Sequence, residues 1–109
     1  MGIGDALKAN ADSIRDALGS DCTLNGVTAL GKCSLNLLNG IQAREALGDD
    51  FGDEQDKEWA MIEVPAGRPI QAQDRITVDT TGRNFVVRRV SQPTVSNVVI
   101  ASRCLCVAG

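Results

Sequence analysis

What most limits the fold of this chain is its punctuation after Gly19, where short alternating or apolar segments are separated by turn residues. Cys22-Thr23-Leu24 and Val27-Thr28-Ala29-Leu30 flank Asn25-Gly26, a dipeptide suited to a two-residue hairpin because both positions accept positive φ. Residues 32–38 alternate, with Cys33, Leu35 and Leu37 against Lys32, Ser34 and Asn36, until Asn39-Gly40 marks another turn. Residues 59–64 form an apolar run stopped by Pro65, and a stiff Pro-Ala-Gly-Arg-Pro connection follows. Ile76 and Val78 then alternate with Arg75, Thr77 and Asp79, Thr80-Thr81-Gly82 turns, and residues 84–90 return. After a turn at 91–94, residues 95–107 are expected to be the last strand. Val98, Ile100, Cys104 and Cys106 would share one face of it, and Val99, Leu105 and Val107 the other. About six or seven short antiparallel strands predict a mainly β fold, a small barrel or sandwich.

The segment before Gly19 has a different period. Ile3, Leu7, Asn10/Ala11, Ile14 and Leu18 recur at steps of three and four, the signature of an amphipathic helix, with Lys8, Asp12, Arg15 and Asp16 on the polar side. Asp5 suits the first turn, where the helix dipole favours an anion, and Gly19 is expected to close the helix in the left-handed conformation. A helix this short is marginal alone in water, so its stripe must dock. It either packs on its own domain, which the small area of the stripe favours, or serves as an arm for a neighbouring subunit. With 109 residues there is room for one domain, divided into a helical arm at 1–20 and a β domain at 21–109. Residues 41–47 suit a further strand or one helical turn.

Charge divides the chain more sharply than its net of −3 suggests. Asp49, Asp50, Asp53, Glu54, Asp56 and Glu58 stand against Lys57 alone. Six arginines between Arg68 and Arg103 stand against Asp74 and Asp79. Residues 48–58 contain two glycines and one apolar side chain, too little to offset the entropy of ordering, and are expected to be a long mobile acidic loop. An EF-hand does not fit, because a loop begun at Asp49 places Phe51 at its third position and Glu54 where glycine is required. Arg88 and Arg89 are strand neighbours that point to opposite faces, either a solvated pair or one interface residue beside one solvent-facing residue.

Catalytic equipment is sparse. The chain has no His, hence neither the commonest general base nor the commonest metal ligand, and it has no Gly-x-Ser-x-Gly elbow. Three aromatics and an acidic balance give no platform for nucleic acid. No enzymatic activity and no cofactor are expected. Residues 1–10 show no secretory pattern and no run suits a membrane helix, so Cys22, Cys33, Cys104 and Cys106 are expected in a reducing compartment. Their spacing is poor for zinc, and they read as small hydrophobes within a sheet.

Asp74-Arg75-Ile76-Thr77-Val78, Gly82, Phe85-Val86-Val87 and Val90-Ser91-Gln92-Pro93 are similar to the terminal hairpin of small phage neck proteins. With the helix, hairpin, charged loop and Pro-terminated strand before them, the chain resembles the head–tail joining, or head-completion, proteins of tailed bacteriophages. That resemblance implies a small β-barrel that assembles as a homo-oligomeric ring at the portal vertex. It implies a portal or adaptor protein on the head side and a tail tube or terminator protein on the tail side. DNA would be passing cargo, and no membrane would be involved. The implied place is the virion neck, reached from the host cytoplasm. Leu7, Ile14 and Leu18 match the arm, and the acidic segment matches the long loop. Opposed charge blocks suit a ring, in which one flank of a subunit must complement the other. Asp49, Asp50, Asp53, Glu54 and Asp56 are therefore expected to meet Arg88 or Arg89 of an adjacent copy. Two other classes stay open on the residues alone: a small-ligand or oligosaccharide module, and a cysteine-based metal or redox protein. A tail terminator is the nearest alternative within the phage class.

Overall fold

A computed structural model describes residues 2–38, 41–42, 45 and 58–108. Among the described residues a long helix, α1 (Ile3–Leu18), precedes eight strands: β1 (Ser20–Leu24), β2 (Thr28–Leu38), β3 (Trp59–Pro65), β4 (Arg75–Val78), β5 (Arg83–Ser91), β6 (Thr94–Val95), β7 (Val98–Val99) and β8 (Ala101–Ala108). Six of them close into an antiparallel barrel in the order β1-β2-β3-β8-β5-β4, and β6 and β7 form a separate two-stranded hairpin. The mainly β expectation holds, and its barrel alternative is the one realised.

Local chemistry explains the turns. Asn25 and Gly26 both take positive φ, 52° and 73°, and the Val27 N–H donates to the Leu24 carbonyl at 3.0 Å. The hairpin falls where the dipeptide places it, but its loop holds three residues rather than two: Leu24 pairs with Thr28, and Val27 stays outside β2. Gly82 at φ 70° turns β4 into β5. The chain from 95 to 107 is not one strand. Ser96 and Asn97 adopt φ of 51° and 66°, so Val95 and Val98 pair across a tight turn, and β8 starts only at Ala101. Val98 and Ile100 thus leave the face that Cys104 and Cys106 share. Gly19 also differs from expectation: its backbone is extended (φ −82°, ψ 175°), and its N–H closes the helix on the Arg15 carbonyl at 2.7 Å. A side chain there would strike the Cys33 carbonyl, 2.7 Å from the position of a Cβ. Ile41, Gln42 and Glu45 are helical, the second of the two readings for that stretch.

The barrel interior is filled by side chains, as small barrels require. Leu24, Leu30, Ile62, Val64, Ile76, Val78, Phe85 and Val87 form it together with all four cysteines. A second apolar cluster lies on the outer face, where Trp59, Leu105 and Val107 are buried and Leu38, Met61 and Val86 pack against them. Register explains that cluster: Trp59, Val107 and Val86 lie side by side across β3, β8 and β5, and Met61 and Leu105 form the next row. The expected loop at 48–58 contributes only Glu58 to the described residues; Asp49, Asp50, Asp53, Glu54 and Asp56 lie outside them. No helix among the described residues is long and apolar enough to cross a membrane.

Candidate functional site

The helix lies against the barrel, but not on its apolar stripe. The buried and half-buried positions of α1 are Gly4, Lys8, Ala11, Asp12 and Arg15. This line is displaced by about one residue, or 100°, from the row Ile3, Leu7, Ile14 and Leu18. Those four side chains are exposed, Ile3 by 64% and Leu18 by 82%. The favoured expectation, a stripe packed on its own domain, is therefore corrected.

Two local features turn the helix this way. At its start the β6–β7 hairpin is so close that a Cβ on Gly4 would collide with the Val95 carbonyl oxygen and the Val98 side chain. Near its end Arg15 is only 2% exposed and forms ion pairs with Asp12 and, at 2.7 Å, with Glu63 of β3. Glu63 also receives Arg103 of β8 at 3.6 Å. An outward-facing carboxylate on the sheet thus captures an arginine that the sequence pattern assigns to solvent. The Arg15 Nε is buried without a hydrogen-bond partner.

Beside this ion cluster runs a groove of about 420 Å³. Leu7, Ala11 and Ile14 line one side, Pro93, Val95 and Ile100 the other, and Arg15, Glu63 and Arg103 contribute polar atoms. Arg103 also borders a second groove of about 220 Å³, with Met61, Leu105, Ser91 and Arg89. Of the sequence-predicted contact residues, Leu7 and Ile14 meet in the first groove and Arg89 lies on the second, while Leu18 sits apart at the helix end. Arg88 is half-buried at a β-bulge, because the pairing of β5 with β8 skips from Val87 to Arg89. The basic block is partly neutralised within the chain: Glu58 pairs with Arg83, and Glu63 with Arg103.

The four cysteines are free and built into the barrel interior. Cys106 donates to the Cys104 carbonyl at 3.3 Å. Burial pushes the Cys104 thiol up to about 12 and raises Cys106 as well. The Cys33 thiol is raised first by its hydrogen bond to Cys22 and then by burial. No group of three or more His, Cys, Asp or Glu converges into a metal ligand set among the described residues. The folded state therefore holds protons that the unfolded chain releases near pH 9, the ordinary thiol value. The Cys22 thiol is lowered by the bond that raises Cys33, so the net expectation rests on Cys104 and Cys106: stability falls as pH rises from 9 to 12, by up to about 1.4 kcal/mol per pH unit for each of these two. Urea unfolding across this range tests the expectation, with no Tyr in the chain to confuse the titration. A flat profile would refute it.

Sequence reasoning missed Arg15, Glu63 and Arg103 as a unit. The only available signal was an arginine on a helix with a lone acid, Glu63, inside an otherwise apolar strand. Comparison with known proteins matches the chain to no family model, no curated protein and no solved structure.

Proposed function

We propose that this chain is a structural subunit of the neck of a tailed bacteriophage, a head-completion protein without enzymatic activity. It assembles as a homo-oligomeric ring at the portal vertex, between a portal or adaptor protein and the tail, with DNA passing through the channel. The observation that carries this reading is the uncovered stripe of α1. A helix that spends its polar side on its own barrel and keeps Ile3, Leu7, Ile14 and Leu18 exposed is arranged for a neighbour. An apolar area of this kind on a small soluble barrel marks an interaction surface. β4 and β5 pair as the antiparallel hairpin that this reading requires, with Ile76 opposite Phe85.

Electron microscopy of a purified virion or a reconstituted neck tests the proposal. Density for this barrel is expected in a ring between portal and tail. Density at the end of the tail tube would assign it to the terminators, and its absence from the particle would refute the proposal. Reversing the charges of Asp49, Asp50 and Asp53 together is expected to abolish particle assembly; normal assembly would remove charge pairing from the account.

A further inference from the structure

The stripe of α1 has a counterpart elsewhere on the molecule. β2 runs to Leu38, but its pairing with β1 ends at Ser20 and Cys33. Beyond that point, residues 34–38 pair only with β3 among the described strands. Leu35 lies opposite Ile62 and Leu37 opposite Ala60, so both share the inner face of the sheet with core residues. They are nevertheless 40% and 52% exposed, because β1 no longer runs beside them. The barrel wall therefore ends in an apolar tongue.

This tongue is out of reach of the chain's own helix. Successive strand residues point to opposite faces. Ser34 lies opposite Glu63 on the outer face, and it is there that Arg15 holds α1. While that ion pair stands, one copy cannot lay its stripe over its own Leu35 and Leu37. A second copy can.

We infer that α1 of one copy seats Ile14 and Leu18 on the Leu35/Leu37 tongue of the next, in a head-to-tail contact. The inference rests on the ring reading above and gives it two faces. The contact is heterologous, the kind that yields rings when its rotation closes. Ile14, Leu18, Leu35 and Leu37 leave on the order of 400 Å² uncovered, about a third of the ~1,200 Å² total at which specific interfaces begin.

Cross-linking of the full chain with a short bismaleimide tests this contact. Leu18→Cys and Leu37→Cys are prepared separately, one carrying a mass tag, and the wild type controls for the four native thiols, which are buried. Both substitutions lie at exposed positions, and circular dichroism identical to wild type confirms that each variant folds. The mixture is expected to give cross-linked pairs of unlike copies at about ten times the yield of either variant alone, because the contact places those two thiols together. The double variant is expected to give a ladder. Equal yields in all three samples, dominant Leu18–Leu18 pairs, bridging within one copy, or no cross-link would each overturn the inference. Repeating the reaction on assembled particles separates it from the ring reading. A neck ring without the cross-link removes this contact alone, and the cross-link in protein absent from the neck removes the placement alone.

Discussion

Truncating Glu63 to alanine is expected to lower the stability of the fold by about 3 kcal/mol, although the residue lies at the surface of the barrel. The loss comes from what it leaves behind: Arg15 is 2% exposed and, among the described residues, keeps only Asp12 as an ion-pair partner, with its Nε already lacking a hydrogen bond. A buried guanidinium left with one of its two carboxylates is more costly than the missing carboxylate is valuable. The Arg15→Met/Glu63→Ala double variant is therefore expected to be more stable than Glu63→Ala by itself. Equilibrium urea unfolding of the two single variants and the double closes the cycle. Far-UV circular dichroism adds a second readout, since a helix released from the barrel is too short to persist in water. Strict additivity of the two substitutions would show that the Arg15–Glu63 pair does not hold α1 in place.

Phe85→Ala is expected to have the larger effect, about 3–5 kcal/mol. The side chain is fully buried at one end of the barrel interior, paired opposite Ile76 on β4 and Ala108 on β8. The Arg83 guanidinium lies 5.1 Å from its ring centroid. A barrel closed on all sides cannot collapse into the void without disturbing its hydrogen-bond ladder, so most of the cavity persists. Phe85→Leu keeps most of the volume and is expected to cost less than about 1.5 kcal/mol. The check is the urea midpoint at constant slope. An alanine variant within 1 kcal/mol of wild type, an order of magnitude that surface positions reach, would mean that the ring does not fill the interior.

Strand number, hairpin positions and inner-face assignments are readable from the sequence where alternation and turn chemistry agree. Asn25-Gly26 and Gly82 are such places, as is the row Ile76, Val78, Phe85 and Val87. Periodicity loses information where a polar residue is recruited by another element. Arg15 belongs by its period to the wet side of α1, and only the folded β3 reveals that Glu63 is waiting for it. Leu35 and Leu37 show the converse. Their face follows from the pattern, but their exposure depends on where a different strand stops. The turn at Ser96-Asn97 is masked in the sequence by Val95 before it and Val98-Val99-Ile100 after it, although Asn97 is of a type that tolerates the left-handed region. Of the candidate contacts, the helical row could be read from spacing alone. Which side of the helix stays free could not, because that depends on one ion pair and one close approach at Gly4.

The position of β8 has a consequence for synthesis of the chain. It pairs with β3 on one side and β5 on the other, so it fills the last gap in a ring of strands already continuous from β3 through β2, β1 and β4 to β5. Until it leaves the ribosome, the nascent polypeptide has one five-stranded sheet, β3-β2-β1-β4-β5, with two open edges and an uncovered apolar face, a state prone to aggregate. Closure is vectorial: the last of the six barrel strands in chain order is the keystone, and the barrel is completed only once it has been delivered. A messenger truncated before Ala101 would encode no smaller barrel, only an adhesive fragment.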